Sequence, residues 1–381
     1  RIAQRQLGFT KWGPMLDHGV QFIFDCWNHF YETGRTEAIK GILPNLKRFA
    51  SYLESLISIE GLLPVEDIGV PVVWIDHEAY RMQRHKQCAF NLYAAAMLQY
   101  ALAPLLEIFR DDSSALHFRN LGKDIQTNAI RVYWNKDKRT FVINQPWLDE
   151  EDVFLYCDRS LAAAILFNQC PENDAKNSLD ILAGCPPEMG LSYPANAGWR
   201  YRALAHEGRT DIIIHEFREK WAGMQSVVLN NTISEFFNPR EDTSDQWSHA
   251  AVAPLYVLFM DIAGIKPLEP GFEKVEIRPQ LNDIGDIELT AFTVKGPIAF
   301  SARKVNGGHD ISITLPENCI GEVLLPDDSK NNQLQKLDSQ TLRGLTRFRL
   351  KAGVTNRFSA IRADSAGIRG RHAYGSEEIP E

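Results

Sequence analysis

In the stretch Asn230-Asn231-Thr232-Ile233-Ser234-Glu235-Phe236-Phe237 a carboxylate stands between a hydroxyl and two aromatic rings. Trp247-Ser248-His249 follows, at the head of the apolar run Ala250 to Met260. A carboxylate held on a rigid edge activates water, aromatic faces receive the apolar side of a sugar, and polar neighbours orient both. These residue types together point to glycoside hydrolysis, with Glu235 as the group that takes a proton from water. The plain alternative is a solvated loop acid beside two core phenylalanines.

The whole chain narrows the partners. Its 381 residues carry 41 Lys and Arg against 49 Asp and Glu, a net charge of −8. Nucleic acid and anionic membranes attract clustered Lys and Arg, and no such cluster occurs, so neither is expected as a partner. The run Ala250 to Met260 is interrupted by Pro254 and falls short of the roughly 20 residues that span a bilayer. The six cysteines are scattered without CxxC or CxxH spacing, so neither a zinc site nor a disulfide framework is expected, and no cofactor or metal is implied. Residues 1–11 lack the apolar core of a signal peptide, and the first residue is not Met, which suggests a fragment or a processed form. Localisation stays open between cytoplasmic and secreted. The sequon Asn230-Asn231-Thr232 reads as chance beside a candidate site.

The elements that must position these groups read as helix after helix from Pro14 to about Met260. Helical spacing predicts Pro14–Thr33, Glu37–Ile59, Gln87–Phe109, Ser113–Trp134, Asp158–Phe167, Glu172–Leu182, Ala195–His206, Thr210–Trp221 and a fully buried Trp247–Ile262. A hairpin over 135–145 and an acidic loop, Asp149-Glu150-Glu151-Asp152, interrupt the series. After Pro267 the period switches to alternation, and strands are expected near 274–277, 286–289, 298–300, 310–313 and 322–325. The chain is therefore expected to divide into a helical domain at 1–268, a β-domain at 269–363 and an aperiodic, disordered tail at 364–381. Helical hairpins of unequal length, with long loops, fit an (α/α) toroid with a central funnel better than a solenoid of fixed repeat.

The order of motifs resembles the α-L-rhamnosidases of glycoside hydrolase family 78. The most specific pieces are Trp247-Ser248-His249-Ala250-Ala251-Val252-Ala253-Pro254-Leu255-Tyr256 and Gly264-Ile265-Lys266-Pro267-Leu268-Glu269-Pro270-Gly271-Phe272. Val275 to Gln280, Thr293 to Ile298, and Ala203 to Arg209 with Trp221 and Met224 are similar to the family as well. The resemblance implies a mainly α fold: an (α/α)6 six-hairpin toroid, truncated at its N-terminus, followed by an antiparallel β-sandwich. It also implies inverting hydrolysis of terminal α-L-rhamnose from a rhamnose-containing glycoside or oligosaccharide.

By that correspondence Thr232-Ile233-Ser234-Glu235 supplies the general base, Glu235, and His249 contacts the sugar. The family's sugar-stacking loop appears as Trp74-Ile75-Asp76-His77, with His77 where the family has Trp. This makes Trp74 and His77 candidate stacking residues and Asp76 a candidate for a sugar hydroxyl. Each has an ordinary alternative: His249 as a satisfied core histidine, Asp76 as a loop cap, Trp74 and His77 as rim packing. Asp17 reads as a helix N-cap, and Tyr156, Tyr193 and Trp199 as candidate funnel aromatics. Asp76, Glu235 and His249 are expected to approach one cleft.

The family's acid-bearing motif is absent from the chain. Asp17, Glu66 and Asp76 are the candidate carboxylates to stand across a cleft from Glu235, but none lies in the family's acid pattern. The chain as it stands is therefore expected to hydrolyse rhamnosides poorly. A non-catalytic sugar-binding or scaffold protein on the same fold is the competing expectation.

Overall fold

The computed structural model describes residues 15–66, 73–144, 148, 151–238, 244–327, 329, 335–337 and 345–361. The expected tail from 364 and part of the acidic loop (149–150) lie outside these residues. Two compact units emerge, Arg1–Asn28 with Thr36–Ala203, and His29–Arg35 with Leu204–Glu381.

The helices are α1 (Leu16–Thr33), α2 (Glu37–Ser55), α3 (Gln87–Met97), α4 (Ala103–Ile108), α5 (Asp112–Tyr133), α6 (Asp158–Leu166), α7 (Lys176–Gly184), α8 (Gly198–His206), α9 (Thr210–Glu216), α10 (Gln225–Asn230) and α11 (Ala253–Val257). Short strands β1 (Trp134–Asn135) and β2 (Thr140–Phe141) form the expected hairpin, and β3 (Tyr156–Cys157) pairs parallel with β4 (Met189–Gly190). The later strands are β5 (Ile265–Pro267), β6 (Lys274–Ile277), β7 (Ile287–Thr293), β8 (Gly296–Val305), β9 (Gly308–Thr314), β10 (Ile320–Pro326), β11 (Leu345–Leu350) and β12 (Thr355–Ile361).

In the first unit, α1 buries Val20, Ile23, Phe24 and Trp27, a spacing that lines one helical face. Helix α3 is buried on every side from Cys88 to Met97, and the polar Asn91 in that span bonds the Leu63 backbone (2.8 and 3.1 Å). With its π-turn continuation Leu98–Leu102 and α4 it packs along α5, and α6 packs against α3 and α7. Asp111 caps α5 by accepting from the Ser114 amide (3.4 Å). Gln83–Ile108 is long and apolar enough to cross a membrane, and 89% of its most apolar window lies buried in the protein.

In the second unit, a 250s helix exists but departs from the expected one. It begins at Ala253, with Pro254 in its first turn, where a residue without an N–H is tolerated. Residues 247–252 are therefore loop, and Trp247 and Leu255, each 62% exposed, contradict the expectation of a fully buried helix.

The β-rich region is sandwich-like, with two four-stranded sheets ordered β12-β9-β8-β7 and β11-β10-β6-β5. The first is antiparallel throughout, and it alternates buried Ile298, Phe300 and Ala302 with outward neighbours along β8. The second corrects the expected all-antiparallel arrangement, because β10 runs parallel to β6 from Ile320↔Lys274 to Val323↔Ile277. Parallel neighbours need a long connection, and the β7–β9 excursion into the other sheet supplies it. Residues Gly321 to Leu325 are all buried, so β10 is covered on both faces as strands in such pairs usually are.

One face of this second sheet carries charge. Glu322 accepts from Arg347 Nη1 (2.8 Å) and pairs with Lys274 Nζ (2.5 Å). Lys266 bonds the buried Asp261 (2.7 Å).

Gly264 enters β5 at φ +75, and a Cβ there would sit 2.0 Å from the Arg278 carbonyl oxygen. Replacing it with Ala combines a left-handed backbone with a backbone collision. Gly264→Ala is therefore expected to lower unfolding free energy by about 3 kcal/mol, measured by urea denaturation; a loss below about 0.5 kcal/mol would contradict this placement.

Candidate active site

Three of the expected site residues lie on one pinned segment of the first unit. The carboxylate of Asp17, in the first turn of α1, accepts from the Trp74 amide through Oδ1 and from the Ile75 amide through Oδ2, both at 3.0 Å. Asp17 thus spends its oxygens on a distant loop and does not cap its own helix, which corrects the N-cap expectation. From the other side, Lys86 donates to the carbonyls of Trp74 (2.6 Å) and Val73 (3.3 Å), and Gln83 Nε2 donates to Val73 (2.9 Å). Burial pulls the Lys86 ammonium below its ordinary range, and the charges of Asp17 and Asp76 oppose that shift. Between these grips Ile75, a buried β-branched residue, is held at φ +23.

His77 follows Asp76 and is buried. Its Nδ1 accepts from the Ala79 amide (3.0 Å), so Nε2 carries the proton shared with Asp158 Oδ1 at 2.8 Å. Asp158 also accepts from the Ser192 amide (2.8 Å) and hydroxyl (2.7 Å), and His77 bridges to Ser192 in the backbone. Burial by itself would raise the Asp158 carboxyl, but the His77 ring and the Ser192 donors outweigh it and hold the group below the usual carboxylate range. The His77 imidazole also packs on Tyr80, with ring centroids 4.5 Å apart. Its side chain, 0% exposed, presents no open face for a sugar, so its place in this structure is that of a fastener.

Trp74 and Asp76 remain part-exposed. Burial raises the Tyr193 hydroxyl, and the charges of Asp76 and Glu78 add to the rise. Tyr156, by contrast, is buried in β3. Trp199 packs with Tyr93 around the Arg159 guanidinium, which lies 4.5 Å and 4.6 Å from the two ring centroids and donates to Asn196 (3.1 Å). Asp158, Arg159, Lys86 and Ser192 carry no local motif in the sequence. The one available signal was an Asp-Arg pair opening an otherwise apolar helix.

In the second unit Glu235 and His249 lie on two loops stitched together. The Glu235 amide donates to the Asp245 carbonyl (2.8 Å) and the Ser248 amide to the Ile233 carbonyl (2.8 Å). Thr232 Oγ1 donates to the Gln246 carbonyl (2.8 Å), and Asn230 Nδ2 donates to Gln246 Oε1 (3.0 Å). Ser234 is buried and donates to the Phe236 carbonyl (2.6 Å), while Phe237 meets the edge of Trp221 at 5.5 Å. Glu235 is part-exposed, and among the described residues its carboxylate has no hydrogen-bond partner. His249 and Trp247 are exposed, so the core-histidine alternative does not hold for His249. Among the described residues no three His, Cys, Asp or Glu side chains are grouped to hold a metal.

Residues 264–340 match the bacterial α-L-rhamnosidase C-terminal domain. An α-L-rhamnosidase of Alteromonas sp. (strain LOR) is 31% identical over 137 residues, covering 32% of this chain and 15% of that protein. The fold is similar to that of the Streptomyces avermitilis α-L-rhamnosidase solved complexed with L-rhamnose. The TM-score is 0.71 at 18% identity, over 90% of this chain and 32% of that one. It is also similar to the GH78 family rhamnosidase of Bacillus sp. GL1, with a TM-score of 0.70 at 20% identity, over 82% of this chain and 33% of that one. The chain is α-L-rhamnosidase-like, and it spans about a third of the length of those solved structures (32% and 33%) and 15% of the curated relative.

The Asp158 carboxyl titrates lower folded than unfolded, so it adds stability that is present above the unfolded value, about 3.9, and is lost as pH falls through the lower folded value. Asp158→Asn is expected to cost about 3 kcal/mol at neutral pH, because it leaves buried donors short of an acceptor. The cost should shrink as pH falls below about 3.9. Urea denaturation of both proteins across pH 2–7 checks this; a pH-independent difference would contradict it.

Proposed function

We propose that this chain carries the water-activating part of an inverting α-L-rhamnosidase, with Glu235 as general base and terminal α-L-rhamnose of a glycoside as substrate. The observation that carries the reading is the state of Glu235. Its backbone is tied to Asp245 on one side and, through Ile233, to Ser248 on the other, while the part-exposed carboxylate has no partner among the described residues. A base that must take a proton from water needs a fixed backbone and unengaged oxygens. The match over 264–340 and the likeness to solved rhamnosidases give that carboxylate a sugar chemistry to serve.

The remaining roles follow from placement. Asp76 and Trp74 are proposed sugar contacts, since both are part-exposed on a rigid segment. His249, exposed on the loop stitched to Glu235, is proposed to contact the sugar as well. His77 is assigned to holding Asp76 in place. The helices up to Leu268 are proposed to belong to a six-hairpin (α/α) catalytic domain, with the sheets from Glu269 to residue 363 as its β-sandwich companion.

Inversion requires an acid across the bond from the base, with carboxyl groups roughly 6.5–9.5 Å apart. Asp17 is a poor candidate, because both of its oxygens already accept backbone amides.

The test is hydrolysis of an aryl α-L-rhamnoside, with the stereochemistry of the released sugar followed by NMR, alongside L-rhamnose binding. Glu235→Gln is expected to lower turnover on the order of 10^2- to 10^4-fold with binding nearly unchanged. Full turnover in the Gln variant would remove Glu235 as the base. Rhamnose binding without turnover in the unaltered protein would identify the sugar-binding alternative.

A further inference from the structure

We propose that Asp17 is the positioning residue for Asp76: its carboxylate, bonded to the Trp74 and Ile75 amides, holds the backbone in a strained turn that sets where the Asp76 side chain is presented. The inference rests on the rhamnoside reading for the ligand that Asp76 meets, but the clamp itself can be tested without any sugar.

Three observations support it. Ile75 is a buried β-branched residue at φ +23, outside the regions such residues adopt without cost. Strain of this kind persists only where its surroundings over-determine it, and such places cluster at functional sites. Here the surroundings are explicit. Asp17 takes the amides of residues 74 and 75, Lys86 takes the carbonyls of 73 and 74, and His77 is locked to Asp158 and Ala79. Asp76 is the residue enclosed by these fastenings, and it alone of the charged residues in 74–77 keeps a part-exposed side chain.

The chemistry of the grip is also selective. A carboxylate is an acceptor on both oxygens and so satisfies two successive N–H groups, whereas a side-chain amide offers one acceptor and one pair of donors. Asp17→Asn keeps the shape of the side chain but turns an NH2 toward one of the two amides. The strained turn then loses a fastening, and Asp76 moves.

The experiment is a double-mutant cycle on L-rhamnose affinity, measured by calorimetry on the full chain, with Asp17→Asn, Asp76→Asn and the double variant. Asp17→Asn is expected to weaken rhamnose about tenfold, and to have no further effect once Asp76 is Asn. Additive losses would show that Asp17 contributes only to general stability and would overturn the proposal. A second measurement needs no sugar: the carboxyl of Asp76, followed by carbon NMR across pH, is expected to titrate at a different midpoint in Asp17→Asn. An unchanged titration overturns the proposal. If the unaltered protein binds no rhamnose, the rhamnoside reading fails, and the titration still decides the clamp. If Asp17→Asn does not fold, amide exchange in the unaltered protein decides it. Slow exchange at Trp74 and Ile75 supports the grip, and exchange at the rate of unprotected amides overturns it.

Discussion

A buried carboxylate must find donors, and in the first unit that demand shapes the backbone next to the candidate site. Asp17 and Asp158 are both buried. One takes the amides of Trp74 and Ile75, the other the ring of His77 and both donors of Ser192. Leaving either acceptor unmet would cost a full desolvation penalty, so the segment 73–77 and the loop at Ser192 are drawn to the carboxylates rather than left to solvent. The helices serve this arrangement. Asp17 is fixed by the buried face of α1, and Asp158 by the start of α6, whose residues from Asp158 to Leu166 are all buried.

The second unit solves a related problem by other means. The loops bearing Glu235 and His249 are held mainly through backbone groups, Glu235 to Asp245 and Ser248 to Ile233, with Thr232 and Asn230 adding side-chain bonds to Gln246. Fastening through the backbone leaves the carboxylate of Glu235 unspent. The contrast with Asp17 and Asp158 separates two kinds of acid in one chain. Acids whose oxygens are filled by amides and hydroxyls hold structure, whereas an acid fastened through its backbone keeps its oxygens unengaged, as the proposed base role requires.

What the sequence disclosed follows the range of the forces involved. Helix α3 was legible because its apolar residues are consecutive and local, and β6 to β10 because alternation is a local pattern. The start of α11 differs from the expected Trp247. The run is apolar, but Pro254 lacks an N–H and is best tolerated in a helix's first turn, where it falls when the helix begins at Ala253. Strands β11 and β12 were missed because Arg347, Arg349 and Arg357 interrupt the apolar signal, and Arg347 is absorbed by Glu322 across the sheet. The parallel pairing of β10 with β6 depends on a partner more than 40 residues away in the chain. The Asp17 grip spans 57 and 58 residues and leaves no local trace. Glu235 stands out only by the residues beside it, and Asp158 has no such local signal, since its partner His77 lies 81 residues away.

This division explains why the local text around Trp74-Ile75-Asp76-His77 suggested the wrong task for one of its members. A histidine in a polar loop reads as a solvent-facing aromatic, but a histidine with acceptors and donors placed at both ring nitrogens is most stable inside. Once His77 is committed to Asp158 and Ala79, it cannot also turn to a ligand without exposing a buried carboxylate. Asp76, beside it, keeps a part-exposed side chain. Of two neighbouring polar side chains, then, the buried one is fixed by what it would leave unsatisfied, while the other keeps a face toward solvent on the same pinned segment.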